Sequence, residues 1–237
     1  MQKITITFLY LIITVFGVAQ RVEILSKSDL KLPAHNNEVA FIEPQTDTAA
    51  LQFVATFKAT GKDSMSNGGD LYLLIKKEAK KVGANCFKLR EFSRDSLNKP
   101  IILLDSYYAN DTIFNMNNSY HEKNVVFVFC DERASDVMFS LKVNNEKRTF
   151  KSGTFLKFNL KEGEELKLNK GGFSGTTAKF KYKKDKDAVY LSFSGFGLGG
   201  GSMPPPGTIG MSFNTGRMRE MQEDYGQLLT LILKQSD

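Results

Sequence analysis

Tryptophan is absent from this 237-residue chain, and histidine and cysteine occur only twice each. Two histidines leave little room for a His-rich metal enzyme, and two cysteines exclude a disulfide-rich miniprotein. With 6 prolines and 19 glycines, no collagen-like repeat is present. Apart from one stretch at the extreme N-terminus, no long apolar run occurs, which excludes a polytopic membrane protein. What remains is 41% hydrophobic and 24% charged residues. That is enough apolar material for one large domain or two small ones, and too much for intrinsic disorder. No specific activity can be read from these proportions.

The first twenty residues, MQKITITFLYLIITVFGVAQ, read as a secretory signal peptide. Lys3 supplies the positive start, residues 4–18 are uncharged and mostly apolar, and Gly17 and Ala19 put small residues before a cut ahead of Gln20. An uncleaved anchor is the competing reading, but the apolar run falls short of the ~20 residues of a span. No cysteine lies near the cut, so a lipoprotein anchor is excluded at that point. The mature protein is expected to be exported and soluble, either periplasmic or extracellular.

Export permits a disulfide between Cys86 and Cys130. Two separate buried thiols fit as well, and periodicity leaves both readings open. Cys86 begins an alternating stretch, whereas Cys130 ends the run Val125-Val126-Phe127-Val128-Phe129, which reads as buried on both faces. The formal net charge of +6 favours contact with anionic envelope surfaces over nucleic acid in an exported protein.

Residues 21–26 and 39–43 look like short strands, and residues 52–60 alternate Phe53, Ala55, Phe57 and Ala59 in the manner of a half-buried strand. Helical spacing then links Leu71, Leu74, Ile75, Ala79 and Val82, with Lys76, Lys77, Lys80 and Lys81 on the other side. Those lysines read as a solvated face. Asn67 or Asp70 is placed to cap the start, and Gly83 to close the end in the left-handed conformation. Strands resume at residues 86–92, 101–108 and 124–130.

The segment from Lys77 to Leu89 ends its helix in an Ala-x-x-x-Gly-Ala-Asn turn, carried by Ala79, Gly83, Ala84 and Asn85. In this it resembles the small exported domains related to the Rcs stress-sensor lipoprotein and the YbjQ group. The resemblance covers residues 38–131 and implies a compact domain with one helix on a small sheet. It brings no catalytic residues. The sensor's lipidated cysteine has no counterpart here, so signalling by that mechanism is not implied.

From residue 135 the pattern changes to short strands with turn signals roughly every 8–12 residues, the signature of a β-sandwich or barrel. Val137, Phe139, Leu141 and Val143 alternate before an Asn144-Asn145 turn. Leu156, Phe158 and Leu160 follow, then Ala178, Phe180 and Tyr182, then Val189, Leu191 and Phe193. By pattern this tail resembles the small immunoglobulin-like domains of exported proteins of the Bacteroidetes type. Met218, Met221, Tyr225, Leu228, Leu229 and Ile232 space as a closing helix, with Gly226 as a weak point. The expected class is α+β: a small α/β domain over residues 20–133, then a β-sandwich-like domain over 134–237 with a terminal helix.

Candidate chemistry is sparse. Gly195, Gly197 and Gly200 spell G-x-G-x-x-G, but a dinucleotide site needs a helix at the last glycine, and Pro204-Pro205-Pro206 follows instead. The stretch reads as a contact loop whose apolar area comes from Phe196 and Met203. His35 and His121 have no neighbouring ligand at metal spacing, so zinc held with Cys86 and Cys130 lacks a local pair. Ser119 and His121 lack the G-x-S-x-G context of a nucleophile. Asp105, Asp131, Glu132 and Asp136 invite a glycosidase reading, but turn and surface roles account for them. Lys179-Phe-Lys-Tyr-Lys-Lys184 interleaves basic and aromatic residues, which an edge strand with outward lysines explains. The expectation is an exported, non-catalytic binding or scaffolding protein of the periplasm or cell envelope. It needs no cofactor, and its partner is an envelope component or protein. A hydrolase of envelope material with a site between the two domains is the alternative.

Overall fold

The computed structural model describes residues 21–34, 38–130, 137–170, 176–192 and 218–236. Within them the chain is α+β, with 14 strands in three sheets and three helices. The first sheet is built from β1 (Arg21–Lys27), β2 (Ala40–Phe41), β3 (Gln52–Thr60), β4 (Cys86–Arg94) and β5 (Pro100–Tyr108), in the order β1-β3-β5-β4-β2. Helix α1 (Gly68–Lys81) packs on β3 and β5. Phe57, Ala59, Phe87, Ile102 and Leu104 turn inward beneath it, as period-two alternation requires.

Asn67 caps α1 by accepting from the Asp70 N–H. Gly83 ends it at φ 82°, and the N–H groups of Gly83 and Ala84 return to the carbonyls of Lys80 and Ala79. That is a Schellman closure. Asn85 then holds both backbone groups of Ala109 at 2.7 and 2.8 Å, which fixes the start of β4 against the end of β5. The buried stripe of α1 is Leu71, Tyr72, Ile75 and Ala79; Leu74 is half-buried at its edge. A second helix, α2 (Asp111–Ser119), follows β5 and was not foreseen. It is capped by Asn110, and among its side chains only Asn117 is buried.

Strand β6 (Val125–Phe129) comes next, then β7 (Met138–Val143), β8 (Glu146–Lys151), β9 (Thr154–Asn159), β10 (Glu165–Lys170), β11 (Thr176–Lys181) and β12 (Val189–Ser192). The chain closes with β13 (Arg219–Glu220), α3 (Glu223–Ile232) and β14 (Lys234–Gln235). One sheet runs β13-β12-β6-β9-β14 and another β11-β10-β7-β8. Asn144 and Asn145, at φ 49° and 73°, make the tight turn between β7 and β8, as two positive-φ residues in a hairpin must.

The sheet containing β6 is buried on both faces. Phe127 and Phe129 join Phe155, Tyr190, α1, α3 and the first sheet in one core. Val126, Val128 and Cys130 join Leu141, Phe150, Leu166 and Leu168 in another, which is the interior of a two-sheet sandwich. β6 lies before residue 133, yet its partners are β9 and β12.

Several expectations change. The disulfide left open above is not formed: Cys86 and Cys130 are each buried and unbridged. Cys86 belongs to the first sheet and Cys130 to the interior of the sandwich. Val137 is exposed rather than inward, because the strand proper starts at Met138. Residues 1–20, His35, the acids Asp131, Glu132 and Asp136, and the glycine-rich stretch with Phe196 and Met203 lie outside the described residues. Among the described residues, no helix is long and apolar enough to cross a membrane.

Candidate functional site

Strand β2 is the edge of the first sheet, and its outer backbone groups need partners. Side-chain amides supply them. The Phe41 N–H donates to Gln227 Oε1 on α3 at 3.2 Å, and the Phe41 carbonyl accepts from Asn117 Nδ2 on α2 at 2.9 Å. Asn117 Oδ1 also accepts from the Glu43 N–H and the Thr46 hydroxyl, so the amide is fully used. These bonds draw α2 and α3 onto the same edge.

They also place His121, just past α2, against the first two turns of α3. Its side chain is only 8% exposed. Nδ1 lies 2.9 Å from Glu223 Oε1, and Nε2 lies 3.0 Å from the Gln227 amide nitrogen. One tautomer satisfies both, with Nδ1–H donating to Glu223 and Nε2 accepting from Gln227. Glu43 Oε1 approaches Nε2 at 3.6 Å. Burial raises the Glu43 carboxyl pKa, His121 opposes that shift, and Glu122 and Glu223 add to it. The two carboxylates meet different ring nitrogens, so they do not converge on one point where a metal would sit. No cluster of metal-holding side chains occurs among the described residues.

A few residues away, Asp224 is buried in the first turn of α3. It accepts from the Tyr72 hydroxyl at 2.7 Å and pairs with Lys76 Nζ, both from α1. Tyr72 stacks on Tyr225 with centroids 6.2 Å apart. Burial, then the Asp224 charge, pushes the Tyr72 hydroxyl pKa well above its usual range. Lys76 therefore does not lie on a solvated face: its side chain is 17% exposed and committed to Asp224. Lys80 is half-buried beside it, and burial first, then the Lys76 charge, lowers its pKa. Only Lys77 and Lys81 of the four helix lysines are exposed.

Between these elements opens a cavity of about 340 Å³. Glu38 and Val39 form one wall, Lys76 and Lys80 another, Phe114 and Asn118 a third, and His121 with Gln222, Glu223 and Gln227 the last. Glu43 lines a neighbouring cavity of about 420 Å³, whose other walls include Phe41, Ile42, Pro44, Leu89 and Leu231.

Of the residues weighed from sequence, His121 takes part in this site, and so do Lys76 and Lys80, which were read as a solvated face. Neither Cys86 nor Cys130 lines the cavity. Ser119 donates to the Met116 carbonyl, and Asp105 is held by Arg90 and Thr56 on the outer face of the first sheet. Glu43, Glu223, Asp224 and Gln227 were missed. The signal available for α3 was two acids and a glutamine spaced on a helix, which is the common pattern of a solvated face. No protein-family model matches the chain, and neither the curated proteins nor the solved structures yield a match to it.

Proposed function

We propose that this is an exported, non-catalytic binding protein of the periplasm or cell envelope, and that the cavity beside His121 takes a small polar ligand. One observation carries the reading. The cavity walls present ammonium, carboxylate and amide groups from four separate elements, while both nitrogens of its histidine are already engaged by Glu223 and Gln227. A histidine held this way positions hydrogen-bonding groups. It has no hydroxyl or thiol among its described partners to activate, as a nucleophilic site requires. The mixed charge suits a zwitterionic or hydroxylated molecule.

Calorimetric titration and thermal melting with monosaccharides, amino acids and dipeptides test this. One probe class is expected to saturate and to raise the melting temperature, by about 2.7 kcal/mol of stabilisation at a hundredfold excess over Kd. Asn118→Ala and Gln222→Ala should lose that binding and keep the fold. Absence of binding by every probe would refute the assignment. The hydrolase reading has one observation in its favour: Glu43 is a carboxyl with raised pKa 3.6 Å from an imidazole, the kind of group that delivers a proton. Turnover of a probe that disappears in Glu43→Gln would replace binding with hydrolysis.

A further inference from the structure

Strand register places six lysines on one face of a sheet. In the sheet β11-β10-β7-β8 the inward residues are Phe139, Leu141, Phe150, Leu166, Leu168 and Phe180. Alternation sends Lys142, Lys147, Lys151, Lys167, Lys179 and Lys181 to the opposite side. Among the described residues of these strands that side carries one carboxylate, Glu165, 3.2 Å from Lys181.

Two cross-strand pairs on this face are lysine against lysine. Lys142 stands directly opposite Lys147, and Lys167 directly opposite Lys179. Like charges in that position destabilise a sheet. Guarding an edge explains lysines on β11 but not on β7 and β10, which are interior strands. The face is costly to its own fold, and an anionic partner would offset that cost.

The shape and chemistry of the face indicate which partner. It is four strands wide and lined by lysines without arginine, so it presents diffuse point charge rather than forks for individual oxyanions. Met138, on the same face, and Val137 beside it are 59% and 54% exposed. Apolar side chains at the rim of a basic face fit a charged surface with hydrocarbon beneath it. We infer that this face docks the protein on an anionic lipid bilayer.

The experiment is co-sedimentation of the purified protein with vesicles of phosphatidylglycerol mixed with phosphatidylcholine, and with phosphatidylcholine alone. Binding is expected only to the anionic vesicles, with weakening as sodium chloride is raised. The informative variant carries Lys147→Glu and Lys179→Glu, which turn both like-charged pairs into opposite ones. Each lysine near such a surface contributes roughly fivefold to partition, so this variant should bind at least ~100-fold more weakly. Its melting temperature should not fall, since the cross-strand repulsion is gone. If it melts lower than wild type, Lys142→Gln with Lys167→Gln carries the same test without new charges. Unchanged vesicle binding in the variant that keeps its fold would overturn the inference. So would wild-type protein that ignores anionic vesicles, whether or not it binds the acidic polysaccharide alginate.

Discussion

Cys86 opens β4 at 1% exposure, and Cys130 follows β6 inside the sandwich, where its Sγ donates to the Lys151 carbonyl at 3.4 Å. The reactive form of a cysteine is the thiolate, and burial pushes the Cys86 pKa up to about 12. A disulfide reagent at pH 8 should therefore label neither cysteine in the native protein and both in guanidinium. Labelling of the native protein within minutes would contradict the packing described. With no shared bond, Cys86→Ala and Cys130→Ala should lower stability independently, by about 1 kcal/mol each. At this scale the sequence was partly legible. The buried run before Cys130 could be read, because apolar residues in succession need two cores. The fate of Lys76 could not, because Asp224 lies 148 positions away and nothing local distinguishes a paired lysine from a solvated one.

At the scale of elements, α1 and its turn were legible because capping is local chemistry: Asn67 at one end and Gly83 at the other act within a few residues. Tyr72 escaped because a hydroxyl-bearing ring at that spacing does not distinguish core from rim until Asp224 is seen beneath it. Helix α2 escaped for a different reason. It buries little, so no apolar stripe marks it, and what holds it to the first sheet is the amide of Asn117. Helix α3 was legible from Tyr225, Leu228, Leu229 and Ile232, but Met218 and Met221, read with them, precede it, and the packing role of Gly226 left no sign in the sequence. An added Cβ there would lie 2.2 Å from Tyr190 Cγ, so the glycine is what lets the helix rest on β12. Helix propensity alone would make Gly226→Ala stabilising by about 1 kcal/mol. The contact reverses the sign, and a net loss of about 1–3 kcal/mol is expected from overpacking. Denaturant titration decides it: a variant as stable as wild type would mean that Tyr190 moves aside freely.

For the molecule as a whole, composition and alternation gave the α+β class and the sandwich, while the way the parts join had no local signature. The joining runs through β6 and α3. Phe127 and Phe129 on β6 pack with Phe155 and Tyr190, and α3 supplies the Gln227 that holds Phe41 and the Asp224 that neutralises Lys76. A fragment ending at residue 133 would keep the first sheet, α1, α2 and β6 but lose all of these partners. The Val126 and Val128 face of β6 would then be bare, the Phe127 and Phe129 face would keep only the first sheet and α1, and Lys76, the Tyr72 hydroxyl and the Phe41 N–H would lose their partners on α3. Each Val-, Leu- or Phe-sized side chain left in water instead of a core forfeits about 1.5–3 kcal/mol, so a few of them use up a large share of the ~5–15 kcal/mol that stabilises a domain. Residues 20–133 expressed alone should therefore give a collapsed amide spectrum and no cooperative melt. Residues 20–237 should unfold in one transition, with fluorescence and circular dichroism coinciding. A well-dispersed spectrum from the shorter fragment, with its own sharp melt, would show that the first sheet and its helix stand without the sandwich.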